Sequence, residues 1–306
     1  MKSSVLFIIF KREDTTRRVF ERIREAQPPR LYIAADGPRE DRPNEVEKCM
    51  KTRKIVESID WPCEVHRLFR NENLGCGKGV SSAITWFFEH EEQGIIIEDD
   101  ILPHIDFFRY CDEMLEKYKD TEKVQLITGR NAFYKGYPAD YTYYFSNLFH
   151  IWGWASWRRV WNTYQYDTNQ LGRDLFRHLI SKRDLPTKTK QYWYNVFDKM
   201  CREDHVDTWD YQFYFNQIIY GRYSIIPYIN QVVNIGFDSD DAAHTKDVDT
   251  KNAEFQSQSA LPIRHSAFFN TDVNADKCFA YNFGFVKRNI VYRIIKKLKK
   301  TVNGIV

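Results

Sequence analysis

The chain lacks the long hydrophobic segment that a membrane-spanning helix requires. Its apolar runs are short, and none approaches the roughly 18 residues needed to cross a bilayer. The first run, residues 5–10, is followed directly by Lys11 and Arg12 instead of a small-residue cleavage site. We therefore expect residues 5–10 to form a first strand and not the core of a signal peptide.

The sequence also lacks paired cysteines. Its six cysteines are far apart, and no two are separated by only two residues. This spacing excludes the usual zinc-finger patterns and gives no indication of a disulfide framework. We expect reduced thiols and a cytoplasmic location for Cys49, Cys63, Cys76, Cys111, Cys201 and Cys278.

The positive charge is not spread over the whole chain, although the net charge is +3. Residues 286–306 hold seven lysines and arginines and no acid, so the rest of the chain has a net charge of −4. A nucleic-acid-binding body is therefore not expected. The apolar residues of 286–306 recur on one side of a predicted helix, which could contact the anionic inner face of a membrane, dock on the body or remain solvated.

The most informative stretch is residues 94–103, where three isoleucines precede Glu98, Asp99 and Asp100. Consecutive isoleucines predict a strand that is buried on both faces. Pro103 cannot continue a central strand, so the acids are expected at its carboxyl end, the edge where α/β sheets bind ligands. Adjacent carboxylates repel one another unless a cation such as Mg²⁺ or Mn²⁺ lies among them. The alternative is a solvated acidic turn.

The first 120 residues alternate between strand and helix patterns. Strands are predicted at 5–10, 30–35, 63–69 and 94–98, with a glycine-rich loop at 71–79 before a helix at 80–90. This order predicts an α/β fold with a mainly parallel central sheet flanked by helices. Polar residues after three of the strands, namely Arg12, Asp36 and the acids of 98–100, should then converge on one edge.

Beyond residue 120 the pattern becomes irregular and rich in aromatic residues, which make up 16% of the chain. We interpret residues 1–120 as a nucleotide-sugar-binding half and residues 121–285 as an acceptor-binding half of one fused domain. The predicted basic helix at 286–306 follows them. The glycines of 75–79 do not have the spacing of a P-loop, because Val80 stands where that motif needs serine or threonine.

Several motifs taken in order resemble bacterial GT-A glycosyltransferases. They are Arg12 after the first strand, Ile-Ala-Ala-Asp-Gly at 33–37, Asn-Leu-Gly-Cys-Gly-Lys at 73–78, Ile-Ile-Glu-Asp-Asp-Ile-Leu-Pro at 96–103, and Trp-Gly-Trp-Ala-Ser-Trp-Arg at 152–158. The resemblance covers about residues 3–270. These families transfer sugars from nucleotide diphosphates, often in surface polysaccharide synthesis. A more distant similarity is to the N-acetylglucosaminyltransferase I family.

The resemblance implies roles for individual residues. Asp100 would hold the divalent metal, Mn²⁺ or Mg²⁺, that bridges the diphosphate, and Asp99 would contact the ribose or the donor sugar. Phe10, Arg12 and Asp36 would hold the nucleoside of the donor, and Lys78 would contact phosphate or sugar. The family often has Asn-Arg-Pro after its first strand, whereas Lys-Arg-Glu stands at 11–13 here.

Glycosyl transfer also needs a base that accepts a proton from the acceptor hydroxyl. We favour Asp210, with Asp207 as the rival, and this arrangement would make the enzyme inverting. An aspartate before a helix is also a common N-cap, which is the structural alternative for both. By resemblance, His244 would be a second metal ligand, although a lone histidine is more often an ordinary surface or core residue.

The tryptophans of 152–157 allow two interpretations. Trp154 and Trp157 are three residues apart and would share one face of a helix, which favours core packing. Alternatively, Trp154 or a neighbour lines the sugar or acceptor pocket, with Arg158 near phosphate.

The residues and the resemblance together predict a metal-dependent, inverting glycosyltransferase. The expected donor is a UDP-sugar, and the expected acceptor is a glycan or a lipid-linked glycan. The protein would be cytoplasmic and could lie on the inner membrane face through its C-terminal helix. The rivals are a sugar-nucleotide-forming nucleotidyltransferase, which usually has a glycine-rich loop after its first strand, and a non-catalytic carbohydrate-binding protein.

Overall fold

The computed structural model describes residues 1–131, 140–203, 207–236, 261–266, 268–269 and 271–282. The predicted C-terminal helix at 286–306 and His244 lie outside these residues. In the part of the chain that is described, no helix is both long and apolar enough to cross a membrane.

The strands alternate with helices over the first half of the chain and are less regular in the second. In chain order they are β1 (Ser4–Ile9), β2 (Arg30–Ala35), β3 (Glu64–Phe69), β4 (Gln93–Glu98), β5 (Ile101–Pro103), β6 (Val124–Thr128), β7 (Tyr143–Ser146), β8 (Trp154–Trp157), β9 (Tyr223–Pro227) and β10 (Val232–Asn234).

The helices connect these strands, and four of them follow one another between β8 and β9. They are α1 (Glu13–Ala26), α2 (Asn44–Ile55), α3 (Gly75–His90), α4 (Ile105–Tyr118), α5 (Arg158–Trp161), α6 (Arg173–Lys182), α7 (Thr187–Arg202), α8 (Asp210–Ile219) and α9 (Val273–Asn282). A short 3-10 helix covers Thr168–Leu171.

Eight of the described strands form one sheet in the order β3-β2-β1-β4-β8-β6-β9-β7. The neighbours β3, β2, β1 and β4 are parallel, as are β6 and β9. The antiparallel members are β8, between β4 and β6, and β7 at the edge. The predicted α/β class with a mainly parallel central sheet is confirmed. Because β8 is antiparallel to both neighbours, β4 and β6 run in the same direction.

The three isoleucines of β4 are almost fully buried, as predicted for a strand that is covered on both faces. Helices α3 and α4 both contact β4: Phe87 of α3 lies where a side chain at Gly94 would project, and Phe107 of α4 lies in the same core. This core includes residues from both sides of position 120, such as Val5 and Phe213. A second cluster lies between α6, α7 and α8.

Two predictions about secondary structure are wrong. Helix α3 begins at Gly75, five residues before the predicted start, and so takes in most of the predicted glycine-rich loop. Trp154 and Trp157 lie in strand β8 and not on a helix, so they do not share a helical face. A spacing of three is compatible with a helix face, but β8 is paired on both sides with β4 and β6, and this pairing determines its conformation.

Helix α9 is attached to the sheet through a buried carboxylate. Asp276 is 1% exposed, and its carboxylate accepts hydrogen bonds from the Ser146 hydroxyl and from the backbone and side-chain nitrogens of Asn147. Burial raises the pKa of Asp276 to about 6 in spite of these hydrogen bonds. A carboxylate whose pKa is raised by folding opposes folding when it ionises.

We therefore predict that Asp276→Asn changes how stability depends on pH. Between about pH 4 and pH 6, Asp276 keeps its proton in the native state but loses it in the unfolded state. The free energy of unfolding of the wild type therefore falls with rising pH by up to about 3 kcal/mol because of this residue. The amide oxygen can still accept from the two nitrogens of Asn147, and the amide nitrogen can donate to the Ser146 hydroxyl oxygen. Because the amide cannot ionise, the fall in stability should be smaller in the variant. Urea unfolding from pH 4 to pH 7 would measure the difference.

The matched control for this experiment is Asp174→Asn in α6, where the aspartate is exposed. It should keep the pH dependence of the wild type. Identical curves for wild type and Asp276→Asn would show that Asp276 does not titrate in this range.

Candidate active site

The carboxyl ends of β1, β2, β4, β6 and β9 all lie at one edge of the sheet, because these strands are parallel. The residues that follow β1, β2 and β4 are Arg12, Asp36 and the pair Asp99 and Asp100. The predicted convergence of polar residues is therefore present. Parallel strand order brings them to the edge where such sheets bind ligands.

Arg12 and the two aspartates are in direct contact. Nη1 of Arg12 donates to Asp99 Oδ1 at 3.2 Å and to Asp100 Oδ2 at 3.0 Å. The other oxygen of Asp99 accepts from the backbone nitrogen of Phe10 at 3.0 Å. Asp99 therefore joins the end of β1 to the end of β4, and its contact with ribose or donor sugar stays a prediction. Burial lowers the pKa of Arg12, but the two carboxylates more than offset this and raise it above its usual value.

Further carboxyl groups lie beside this contact. Burial raises the pKa of Glu98 to about 8, with further contributions from Asp100, Asp99 and Asp210. Burial and the charge of Asp100 also raise the pKa of Asp99, to about 6. Four carboxylates thus lie close together near one guanidinium. A cation among them would relieve their mutual repulsion.

Asp100 is the more accessible of the two aspartates that contact Arg12. Its side chain is 18% exposed, against 7% for Asp99. Asn234 of β10 hydrogen-bonds Asp100, and a side chain at Gly236 would come within 2.8 Å of Asp100 Oδ2. Asn234 and Gly236 were not predicted as site residues, although the short spacing between an asparagine and a glycine after a strand is a recognisable turn signal.

The loop that carries Arg12 is anchored by a buried ion pair. Lys11 Nζ lies 2.8 Å from Glu45 Oε1 of α2, and both side chains are at most 8% exposed. Although burial alone would raise the pKa of Glu45, hydrogen bonds from Arg39 and Lys11 lower it to about 2. Arg39 also lies 5.9 Å from the ring of Phe10. These contacts position the loop whose sequence departs from the Asn-Arg-Pro pattern.

Asp36 is bound at the N-terminus of α3. Its carboxylate accepts from the backbone nitrogen of Leu74 at 2.9 Å, and Gly79 lies against it, where a side chain would come within 3.1 Å. Burial raises the pKa of Asp36, while the hydrogen bond from Leu74 partly offsets the increase. Asp36 thus lies at the predicted edge, and its hydrogen bond to a uracil N–H stays a prediction.

Asp207 binds the same helix end from the other half of the chain. Its Oδ1 accepts from the backbone nitrogen of Gly77 at 2.6 Å and its Oδ2 from that of Cys76 at 3.1 Å. Side chains at Gly75 or Gly77 would come within about 3.0 Å of this carboxylate. The first turn of a helix has unpaired N–H groups and a partial positive charge, so a carboxylate there is stabilising. Asp207 thus caps the N-terminus of α3 and not that of α8, the helix that follows it in the sequence.

Asp210 is the first residue of α8, and its Oδ1 accepts a hydrogen bond from Thr208. The backbone nitrogen of Thr208 lies close to Gly77, so the start of α8 approaches the first turn of α3. The charge of Asp210 contributes to the raised pKa of Glu98. The structure therefore brings Asp210 close to the acids at the end of β4.

Lys78 is exposed on the first turn of α3, and its contact with phosphate or sugar stays a prediction. The thiol of Cys76 lies on the same turn. Burial raises the pKa of this thiol to about 12, with contributions from Glu98, Asp207, Asp210 and Asp100. These four carboxylates therefore surround one end of α3.

Two expected contacts near the tryptophans do not fit the structure. Trp154 is fully buried, and its ring packs against those of Trp209 and Phe213, so it belongs to the core and does not line a pocket. Arg158 begins α5 at the opposite edge of the sheet, where its Nε donates to the carbonyl of Glu91. It cannot approach a phosphate near Asp100, because antiparallel β8 carries the chain from the acidic edge to the other edge.

The side chains at the acidic edge could supply part of the coordination of a hard divalent cation. Within the described ranges, no three His, Cys, Asp or Glu side chains are arranged to hold a metal together. Mg²⁺ in nucleotide sites is often held by one or two carboxylates, with phosphate and water oxygens completing its coordination. Asp100, partly exposed and surrounded by other acids, suits that arrangement. His244, the other predicted ligand, lies outside the described residues.

Two surface clefts near the opposite edge of the sheet, beside the ends of α1 and α2, do not compete with this site. Their charged residues include Arg24, which pairs with Asp60 and Glu21, and Arg22, which pairs with Glu25. Within each of these exposed ion pairs, the two opposite charges neutralise each other.

Comparisons with known proteins show only weak similarity. No family model and no curated protein matches the chain. HddC from Yersinia pseudotuberculosis is 10% identical, with a TM-score of 0.33, over 54% of this chain and 81% of that one. Residues 1–349 of S. aureus TarS are 11% identical, with a TM-score of 0.37, over 76% of this chain and 59% of that one. Apo UDP-glucose pyrophosphorylase is 12% identical, with a TM-score of 0.37, over 77% of this chain and 94% of that one.

These similarities are too distant to carry an argument about function. Any functional conclusion must therefore come from the residues at the acidic edge.

We predict that Asp207→Ala destabilises the protein by about 1 kcal/mol, the usual cost of losing a helix cap. The substitution leaves the backbone N–H groups of Cys76 and Gly77 without their carboxylate. Urea unfolding measures the loss. The matched control is Asp167→Ala, because exposed Asp167 caps a short 3-10 helix through one hydrogen bond to Asn169 and joins no distant elements.

A smaller loss is expected for Asp167→Ala. Equal stabilities for wild type and Asp207→Ala would contradict the capping role.

Proposed function

We propose that the protein is a metal-dependent glycosyltransferase that moves a sugar from a nucleotide diphosphate to a glycan. The observation that carries this proposal is the direct contact between Arg12, Asp99 and Asp100 at the carboxyl edge of a parallel sheet, with Asp210 close by. This edge combines groups that can hold a diphosphate through a cation with a carboxylate that can accept a proton. A non-catalytic sugar-binding protein would need neither.

The leaving group in this reaction is a nucleoside diphosphate, on which negative charge develops. A bound Mg²⁺ or Mn²⁺ would supply Lewis-acid stabilisation of that charge. Asp100 would hold the ion, oriented by Arg12 and Asn234, which contact its side chain. Asp99 would act mainly through position, because it joins the Arg12 loop to the strand that carries Asp100.

Asp210 would accept the proton from the acceptor hydroxyl. It lies close to the acidic end of β4, and its neighbour Asp207 already binds two backbone N–H groups of α3. Between the two candidates, this difference favours Asp210. A base that activates the acceptor opposite the leaving group gives inversion at the sugar carbon.

The donor would be a UDP-sugar. Arg12, Asp36 and the exposed side of Phe10 border the space beyond β1 and β2 where the nucleoside would lie. Lys78 and His244 would add contacts to the phosphates or the metal. The acceptor would be a glycan or a lipid-linked glycan, and contact of residues 286–306 with an anionic membrane surface would bring the enzyme to such an acceptor.

The rival nucleotidyltransferase reaction can be separated from this proposal by its products. A nucleotidyltransferase would convert UTP and a sugar 1-phosphate to a UDP-sugar and release pyrophosphate. A glycosyltransferase would consume the UDP-sugar and release UDP. The loop after β1, Phe10-Lys11-Arg12, has no glycine and is anchored by Glu45, which favours the transferase. Assays of pyrophosphate and UDP release from the two substrate sets decide between them.

We predict that UDP raises the melting temperature of the wild type in the presence of Mn²⁺ or Mg²⁺ and not in the presence of EDTA, because the diphosphate would bind through the ion. Asp100→Asn should lose this shift and at least about a hundredfold of UDP-sugar turnover, since it removes a charged metal ligand. Melting curves and UDP release measure the two effects.

The control for Asp100→Asn is Asp60→Asn, which removes an exposed aspartate at the opposite edge that pairs with Arg24. It should retain both the shift and the turnover. A full UDP shift in EDTA, or normal turnover by Asp100→Asn, would reject the role of the metal.

We also predict that Asp210→Asn lowers transfer to a glycan acceptor by about 10²- to 10⁴-fold, the usual contribution of a general base. The metal-dependent UDP shift should remain, because Asp210 does not touch the donor in this proposal. Asp167→Asn serves as the control and should leave transfer unchanged. Transfer at the wild-type rate by Asp210→Asn would exclude it as the base.

A further inference from the structure

Two tyrosines stand beside Asp210 on neighbouring helices. Tyr192 lies on α7 and Tyr211 on α8, directly after Asp210, and both are half-buried. Their rings are edge-on to Trp193, with centroid distances of 5.4 Å and 5.8 Å. The two tyrosines therefore contact the same indole.

Trp193, which contacts both tyrosines, is itself held rigidly in the core. It is 6% exposed, and its ring stacks on that of Tyr214 at 3.8 Å within the cluster between α6, α7 and α8. The phenol groups of Tyr192 and Tyr211 also lie close to each other. A rigid aromatic surface loses little conformational entropy when a ligand binds, which favours affinity.

We infer that Tyr192, Tyr211 and Asp210 form the acceptor subsite and that they bind an uncharged sugar ring. This inference rests on the proposed function. Tyrosine rings offer apolar surface to the C–H groups of a pyranose, while phenol and carboxylate groups can hydrogen-bond its hydroxyls. Burial raises the pKa of both phenols, and the charge of nearby Asp210 adds to the increase.

The charge of the surroundings sets the class of acceptor. Asp207 and Asp210, neither of which would hold the metal ion, lie near the end of α3 next to this subsite. A sugar that carries a carboxylate or phosphate at the reacting ring would meet this negative charge, and like charges at short range oppose binding. A neutral ring avoids this repulsion.

Saturation-transfer NMR can test the inference with defined probes. The probes are the methyl glycosides of glucose, galactose, mannose and N-acetylglucosamine, with methyl glucuronide as the anionic counterpart, each measured with UDP and Mg²⁺. At least one neutral glycoside should show ring-proton signals, and it should bind about tenfold more tightly than the glucuronide, a difference of about 1.4 kcal/mol.

The variants are Tyr192→Ala and Tyr211→Ala, with Tyr220→Ala as the matched control. Tyr220 follows α8 and is 49% exposed, away from Asp210. The affinity for the neutral glycoside should fall about tenfold in the first two variants and stay unchanged in the control. If circular dichroism shows that an alanine variant has not folded, the phenylalanine variant at that position replaces it. Its expected loss is about threefold, because the ring remains and the hydroxyl is removed.

Three results would overturn the inference. They are the absence of signal from every neutral glycoside, tighter binding of the glucuronide, and unchanged affinity in the variants of both tyrosines. The metal-dependent melting shift with UDP tests the donor site separately. A wild type without that shift would count against the transferase, while the glycoside measurements would still decide whether the tyrosine pair binds sugar.

Discussion

The first turn of α3 is held by carboxylates from two distant parts of the chain, and the candidate site depends on this contact. Asp36 approaches from the end of β2 and Asp207 from the segment before α8. Gly75 is needed here because its φ of +79° is strained for other residues, and a side chain at Gly77 would come within 2.5 Å of the Tyr166 hydroxyl and 3.0 Å of Asp207. The interaction joins the predicted nucleotide-binding half to the predicted acceptor-binding half, and it brings Asp210 towards the acids of β4.

Electrostatics then limits what this edge can bind. Glu98, Asp99, Asp100 and Asp210 lie close to one another. Burial raises the pKa of the first three, and repulsion from neighbouring carboxylates adds to the increase for Glu98 and Asp99. Arg12 offsets part of this charge through its contacts with Asp99 and Asp100. The remaining excess favours a divalent cation next to the diphosphate and an uncharged ring at the tyrosine pair. The same charge distribution thus underlies both the proposed reaction and the proposed acceptor.

Local sequence patterns predicted the structure correctly where burial and strand direction alone determine it. Isoleucines 95–97 form the expected buried strand, and the acids follow it at the expected edge, because parallel topology leaves little choice. Patterns were unreliable where distant residues intervene. The glycines of 75–79 look like a loop, yet a capping residue 130 positions away from Gly77 completes the helix. Similarly, Trp154 could be assigned to a pocket or to the core only once its neighbours Trp209 and Phe213 were known.

The sequence by itself determined the α/β alternation, the buried central strand and the set of polar residues at its carboxyl edge, because these follow from residue periodicity and from proline's missing N–H. Only the tertiary structure decided which of those residues touch. It gave Asp207 a capping role, moved Arg158 to the opposite edge and placed Tyr192 and Tyr211 beside Asp210. The physical reason is that hydrogen bonds and ring contacts between residues far apart in the chain depend on how helices and strands pack, and local sequence does not encode that packing.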